Sequence, residues 1–381
     1  MRRTAEIVIV GGGVVGCAVA YNLAKMGMKD IVLVEKKFLA SGSTGRCGGG
    51  IRQQWSTAPN VRLAMASVSI FERMEEELGM DVEWYQGGYL IPAYTEDEWK
   101  QFQKNVQMQR GEGLDVRVLE PQETQDIVPG LNTEGMLGAT YCPTDGHANP
   151  FLVTIAYAKR AKDMGVTIET FTEVVGINVE GGRIQGVRTS KGYISTGRVF
   201  NAAGGYSGEI GKMVGIDLPV TSYRHEIMVT EPVERFIDPM VISFSRNIYF
   251  RQAETGGIIG GQSNPGEPPG TDMSSGLDFA QQFAKKVTWF VPALRDVKVV
   301  RQWAGLYNVT PDAQPILGSV DEVDGYFHAI GFSGHGFMIA PKTAELMAEL
   351  IVYGKTSMPI DDLHLNRFKE GRIKDTEKSV V

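Results

Sequence analysis

The stretch Glu6-Ile-Val-Ile-Val-Gly11-Gly12-Gly13-Val-Val-Gly16-Cys-Ala-Val-Ala-Tyr-Asn-Leu-Ala-Lys25, continued by Ile31-Val-Leu-Val-Glu35, decides the fold. An apolar β-branched run stops at three glycines, residues of helical period carry the chain to Gly27, and a second apolar run ends on an acid. This is a βαβ unit with a dinucleotide fingerprint inside it. Gly11 allows the tight turn, Gly13 lets the backbone approach a pyrophosphate, and Gly16 lets the helix sit close to the strand, so that the helix N-terminus faces the phosphates. Glu35, near the expected offset of roughly 20 residues, offers a carboxylate to ribose hydroxyls. A glycine turn in some other α/β protein would leave that acid without a purpose. An acid there also disfavours a 2′-phosphate, which points to NAD or FAD rather than NADP.

Beyond this unit, 381 residues with 43% hydrophobic content can bury a large core and predict two domains or one interleaved unit. The net charge of −7 is mild and spread out, with no basic patch to neutralise phosphates, so nucleic-acid partners are not expected. Cys17, Cys47 and Cys142 form neither a paired framework nor a metal-ligand spacing, which suggests a reducing, cytoplasmic compartment and no metal site. Only four apolar residues separate Met1-Arg-Arg-Thr-Ala-Glu from the glycines, so no export signal is expected. No uninterrupted apolar run reaches the ~18 residues of a membrane span, and membrane association would have to come through partners.

After Glu35, Ser41-Gly-Ser-Thr-Gly-Arg46-Cys-Gly-Gly-Gly50-Ile-Arg52-Gln-Gln-Trp55 reads as a loop too glycine-rich for regular structure. Its successive N–H groups can converge on an anion or a flat ring, whereas a flexible linker usually lacks Arg, Cys, Ile and Trp at such spacing. Residues 57–78 read as a helix ending at Gly79, 82–93 as a hairpin around Gly87-Gly88, and 95–112 as a polar amphipathic helix. Pro143-Thr-Asp145-Gly-His147-Ala-Asn-Pro150 is a turn cluster feeding a helix from Phe151 to Met164. A strand and a β-meander follow, and Arg198-Val-Phe-Asn-Ala-Ala203-Gly204-Gly205 predicts a return to the nucleotide sheet. From Pro219 to about Trp303 the texture is strand-rich, with one helix near 278–289, and reads as a second domain laid over the first. Tyr326 to Met338 then repeats the opening pattern of strand and glycine-rich turn, followed by a helix from about Ala340 to Tyr353.

Together the fingerprint, the 42–55 loop, Asn201-Ala-Ala-Gly204, Thr310-Pro-Asp312 and Gly331-Phe-Ser-Gly-His-Gly336 resemble the FAD-dependent amine oxidoreductases that include D-amino-acid, glycine and sarcosine oxidases. The resemblance covers nearly the whole chain. It is strongest to the β subunits of dye-linked L-proline dehydrogenase and heterotetrameric sarcosine oxidase. It implies an α/β plus α+β fold, in which a Rossmann-like FAD-binding domain is assembled from discontinuous segments (1–84, 145–215 and 304–368). A strand-rich substrate domain (85–144 and 216–303) and a loose charged tail (369–381) complete it. By the same resemblance, Gly11, Gly13, Gly16, Glu35, Lys36 and Val174 would meet the adenosine end. Ser43, Thr44, Gly48, Gly49, Gly50, Ala203 and Gly204 would follow the pyrophosphate and flavin, and Gly334, His335, Gly336, Phe337 and Met338 would lie at the pyrimidine edge.

Oxidising an amino acid's C–N bond with a flavin moves a hydride from the α-carbon to N5, so the protein must position that carbon and stabilise negative charge on the reduced ring. The helix starting at Gly336 is suited to the second task. For the first, an arginine's planar fork binds both carboxylate oxygens. Arg52 aligns with the substrate-binding arginine of monomeric sarcosine oxidase, and its plain alternative is a surface arginine on a loop. Tyr307 matches a family active-site tyrosine. Tyr249 and Arg251 lie on a strand that can face the ring, although a core aromatic suits Tyr249 equally well. His225 and His335 can bind protons, but structural histidines are commoner.

Two departures from the family pattern carry information. Gly305 stands where the monomeric relatives attach flavin through a cysteine, implying noncovalent FAD. Met338 stands where they carry a lysine that assists oxygen reduction, implying a dehydrogenase that passes electrons to a partner or dye. The expectation is therefore a subunit of a hetero-oligomer with an α subunit, oxidising L-proline first and sarcosine second. An interfacial FMN follows only if that partner is present, and a covalent one is not expected, because His147 falls short of the attachment position. The rivals are NAD-linked dehydrogenation and a non-catalytic FAD relay subunit.

Overall fold

The computed structural model describes residues 3–373 and 376–379, and places the opening βαβ unit at the centre of a six-stranded sheet. The strand order is Ile316–Ser319, Tyr326–Ile330, Val199–Asn201, Ile7–Val10, Ile31–Val34, Thr167–Glu169. All neighbours are parallel except the first pair. The period-2 geometry of Ile7–Val10 explains why all four residues had to be apolar. Ile7 and Ile9 join the core formed with the helices Val14–Lys25, Ala58–Phe71, Pro150–Asp163 and Gly336–Tyr353, while Val8 and Val10 face Ile177, Ile184, Val187 and Ile194 of a three-stranded meander. Val199–Asn201 pairs directly with Ile7–Val10, as the small residues after it predicted.

The second unit is an eight-stranded sheet in the order Val299–Val309, Thr221–Pro232, Gly257–Gln262, Ile248–Gln252, Met240–Ser243, Tyr89–Ala93, Gly138–Cys142, Arg117–Leu119. Only Met240–Ser243 and Tyr89–Ala93 run parallel. Alternation again assigns the faces. Phe250, Ile258 and Met228 pack under the helix Leu277–Phe290 through Phe279, Phe283 and Phe290. On the other face Tyr89, Met240, Ile242 and Tyr249 cluster and line a cavity.

Several local expectations differ from the structure. The segment 82–88 is no hairpin: Tyr85 bridges to His147 instead, and only Tyr89–Ala93 becomes a strand, because its partners lie far away in sequence. The 57–78 helix breaks into Ala58–Phe71 and Met74–Leu78. The glycine-rich loop holds some regular structure, a short 3-10 turn at Thr44–Arg46 and a two-residue strand, Gly50–Ile51, paired with Gly146–His147. Strand Val299–Val309 runs through the expected boundary at 303/304, so it belongs to the eight-stranded sheet along its whole length.

The tail is not loose where it is described. Glu377 and Ser379 are buried, and Arg367 just before it forms a buried bidentate ion pair with Asp312 at 2.7 and 3.0 Å. The parts of that tail at Lys374, Asp375, Val380 and Val381, like Met1 and Arg2, lie outside the described residues. Among the described residues no helix is long and apolar enough to cross a membrane.

Candidate active site

A long cleft opens at the carboxyl ends of the parallel strands, enclosing roughly 1660 Å³ with the space at its mouth. At one end the helix Val14–Lys25 points its N-terminus into it. Gly11 has φ 114°, a region that favours glycine, and a Cβ there would collide with the Ala202 carbonyl. Gly16 does not line the cleft: a Cβ on it would strike the Gly11 carbonyl, so it serves helix–strand contact, as the fingerprint requires. Glu35 accepts from Gly12 N and Lys37 N, both at 2.8 Å, which fixes its carboxylate at the cleft wall with lone pairs to spare. Lys36 lies over the Tyr206 ring at 3.1 Å beside it. Ser43, Thr44, Val174, Ala203 and Gly204 continue the wall. Thr44 Oγ1 accepts from Val14 N at 3.2 Å, and Ser43 Oγ donates to the Leu306 carbonyl at 2.7 Å, tying the loop to both domains.

At the other end lies a second, smaller cavity of about 570 Å³ by the same measure. It shares Cys47, Tyr249, Tyr307, Ser333, Gly334 and Phe337 with the cleft, so the two adjoin. The 331–336 turn sits at this junction. Asn308 Oδ1 accepts from Gly331 N at 3.0 Å, and Ser333 N donates to Asn308 O at 2.9 Å. Gly334 has φ 93° and its Cα packs on the Tyr307 ring, where a Cβ would not fit. The Gly336–Tyr353 helix follows immediately and aims its positive end at the junction.

Arg52 lines the small cavity and is 3% exposed. Its Nη1 donates to the Gln54 carbonyl at 3.0 Å, Nη2 donates to the Ser379 carbonyl, and Nε has no partner among the described residues. The guanidinium stacks over Trp55 at 4.2 Å. Burial pulls its pKa down, opposed chiefly by Tyr89 and then by the carboxylates of Glu377 and Asp145. Asp145 is itself raised to about 6 by burial, against hydrogen bonds from the Gln54 and Gln53 side chains and Gln53 N.

Tyr249 and Tyr307 stand at the junction with His225 between them. His225 stacks on Tyr307 at 4.2 Å and lies 3.0 Å from the Tyr249 hydroxyl through Nε2. Burial lowers His225 to about 3, so it is neutral. His335 lines the small cavity beside Trp55, and burial lowers it to about 4.

The pattern of the family of FAD dependent oxidoreductases matches residues 6–350. The chain belongs to that family. Among its relatives is the sarcosine oxidase β subunit of Rhodobacter capsulatus, 31% identical over 379 residues that span 98% of this chain and 91% of the relative. The crystal structure of L-proline dehydrogenase from P. horikoshii superposes with a TM-score of 0.93 at 40% identity, covering 97% of this chain and 99% of that one. The chain also spans 45% of the rat mitochondrial dimethylglycine dehydrogenase, to which it is 29% identical over 388 residues covering 96% of this chain.

This FAD-dependent oxidoreductase has a cleft whose residues fit the cofactor. The turn admits no side chain between strand and helix, Glu35 is held at the cleft wall, where its carboxylate would suit ribose hydroxyls, and two helix N-termini face the two ends. At Gly305 a Cβ would meet the Arg46 side chain at 3.0 Å.

Of the expected site residues, Gly48, Gly49, Gly50, Arg52, Tyr249, Tyr307, Gly334, His335, Phe337 and Met338 meet at the small cavity, while Gly336 lines the cleft. Arg251 does not. It is buried beneath the loop, lines neither cavity, and donates from Nε to the Gly48 carbonyl at 2.5 Å, so it supports the loop rather than touching substrate. Cys47, Tyr89, Met240, Ile242 and Ser379 line the cavity but escaped the sequence reading. Cys47 alone carried a signal, its place inside the glycine-rich loop.

Proposed function

We propose that this chain is the catalytic subunit of an amino-acid dehydrogenase that oxidises the C–N bond of L-proline or a similar secondary or primary amino acid, and hands the electrons to a partner subunit or dye. The observation that carries the reading is Arg52: a buried guanidinium whose Nε is unpaired among the described residues, set in a cavity that adjoins the cleft suited to FAD. FAD, when bound, supplies the acceptor for the hydride. Arg52 holds the substrate carboxylate in a side-on fork through Nε and Nη2. Tyr89, Met240, Ile242 and Met338 form an apolar wall that excludes water and fits a small aliphatic ring. The Tyr249 hydroxyl, directed at the neutral His225, and the Tyr307 hydroxyl can accept from the substrate N–H and orient the neutral amine.

Sarcosine turned over with oxygen is the second reading, favoured by the name of the Rhodobacter relative. Met338 weighs against it, because it puts no cation beside the ring to stabilise the charge that oxygen gains. The same relative supports assembly with other subunits. A covalent FMN is no part of this reading, since His147 is buried and strand-paired to Gly50, and a noncovalent one follows only with a partner subunit. The test is anaerobic bleaching of the yellow holoprotein with proline, sarcosine, glycine and D-amino acids. Bleaching by proline first is the expected result, and bleaching by none of them refutes the reading.

A further inference from the structure

The cavity that holds Arg52 is closed on one side by the chain's own C-terminal segment. Ser379 lines it, is 4% exposed, and gives its backbone carbonyl to Arg52 Nη2. Nη2 and Nε form the side-on face of a guanidinium, the pair of donors that matches a carboxylate. One half of that face is therefore filled by a peptide carbonyl, and the other half, Nε, has no hydrogen-bond partner among the described residues.

What holds the segment there is separate from the fork. Glu377 is 1% exposed, and its carboxylate accepts from Ser56 N at 3.0 Å, Ser56 Oγ at 2.5 Å, Thr57 Oγ1 at 3.2 Å and Asn60 Nδ2 at 2.8 Å. The three backbone amides around it are engaged too: Glu377 N with Asp312 O at 3.1 Å, Lys378 N with Ser56 Oγ at 3.0 Å, and Ser379 N with Glu377 Oε1 at 2.9 Å. Burial works against ionising Glu377, yet these bonds outweigh it and keep the carboxyl below its ordinary range. Thr376 and Lys378, on either side of Glu377, are exposed. The segment is thus a strap with a strong latch at Glu377 and a single bond to the fork at Ser379.

We propose that residues 376–379 compete with the substrate for Arg52, the Ser379 carbonyl standing where one carboxylate oxygen must bind and Glu377 setting how often the strap lets go. This rests on the amino-acid reading above. Substrate then meets a site available only in the fraction of molecules whose strap is released, and apparent affinity falls by that fraction.

The holoprotein is titrated with tetrahydrofuran-2-carboxylate, which has the ring and carboxylate of proline but no amine to oxidise. The flavin spectrum reports binding, and amide hydrogen exchange is followed at 377–379. The expected result is faster exchange at Lys378 and Ser379 when the carboxylate is bound, and about tenfold tighter binding in Glu377→Ala and in Ser56→Ala, as for a strap closed roughly nine-tenths of the time. Slower exchange on binding would make the segment a wall that closes over the ligand, and would overturn the proposal. So would unchanged or weaker binding in both variants. A protein that proline bleaches, but whose variants bind the carboxylate no tighter, fails the strap alone. A protein that no amino acid bleaches fails the functional reading.

Discussion

Replacing Arg52 separates a substrate-handling subunit from an electron relay. The substrate carboxylate takes two charge-assisted hydrogen bonds, from Nε and Nη2, each worth about 1.5–3 kcal/mol. The Nη2 bond first requires release of the Ser379 carbonyl, which offsets about 1 kcal/mol. The net loss in Arg52→Ala is about 2–5 kcal/mol, or roughly 30-fold to 5000-fold in kcat/KM. Arg52→Lys keeps the charge but supplies one donor instead of a fork, so its loss falls mainly on KM and is smaller, about tenfold. Anaerobic stopped-flow bleaching at several proline concentrations gives the limiting rate and the dissociation constant separately. Because Arg52 also packs on Trp55 and Phe244, FAD content is measured on the same samples. An Arg52→Ala protein that keeps its FAD and stays within about threefold of wild type in kcat/KM would refute the clamp and favour the relay.

Other consequences are open to equally direct measurement. Met338→Lys places a cation at the cavity wall, where a unit charge at an effective dielectric of about 20 is worth up to ~4 kcal/mol at contact; reoxidation by oxygen, read as hydrogen peroxide, should quicken at least about tenfold. Gly16→Ala drives a Cβ into the Gly11 carbonyl, so the protein should purify largely without FAD, seen as loss of its yellow absorbance. Acid should destabilise the fold, because burial holds His225 and His328 at about 3, His335 at about 4, and His147 well below the ordinary value. Neutral when folded, each contributes stability that is full above the unfolded value near 6.5 and drains away as the pH falls towards the folded value, roughly 2 kcal/mol by pH 5 for each of His225, His328 and His335. Asp145, raised to about 6, works the other way and returns only about 1 kcal/mol by pH 5, so the histidines win. A denaturant midpoint unchanged between pH 7 and pH 5 would contradict this.

The parts of the fold legible in the sequence were those whose signal is local. The fingerprint at 6–35, the return strand before Ala203 and the turn at 331–336 each combine apolar period with glycines that backbone geometry demands, and the structure brings all three to one cleft. Arg52 and Tyr307 stand out through the family resemblance, Arg52 with the added reason that its fork suits a carboxylate, and both lie at the small cavity. What failed was long-range. Tyr89–Ala93 looked like half a hairpin because its true partners, Gly138–Cys142 and Met240–Ser243, lie about 50 and 150 residues away, beyond any turn signal. Arg251 follows Tyr249 by two positions and so shares its face, yet the Gly48 carbonyl captures its guanidinium before it reaches the cavity. The tail misled for a compositional reason: Lys369 to Val381 is charged, as solvated ends are, but one of those charges fits a cradle of donors built more than three hundred residues earlier.

That cradle bears on why Arg52 can serve as a clamp at all. A guanidinium removed from water is costly unless its donors and charge are matched, and a direct buried carboxylate partner would match both so well that no substrate could compete. Among the described residues, the hydrogen bonds of Arg52 go to two carbonyls, while the carboxylates of Asp145 and Glu377 act on it from further off. Carbonyls satisfy geometry without neutralising charge, and the more distant carboxylates temper the charge without occupying the fork. The cation is thus kept desolvated, oriented and only partly compensated, a state in which an incoming carboxylate gains more than it would at a surface arginine. On the proposed reading, the strength of substrate binding depends on what stands at Nη2, and the group hydrogen-bonded there is the carbonyl of Ser379.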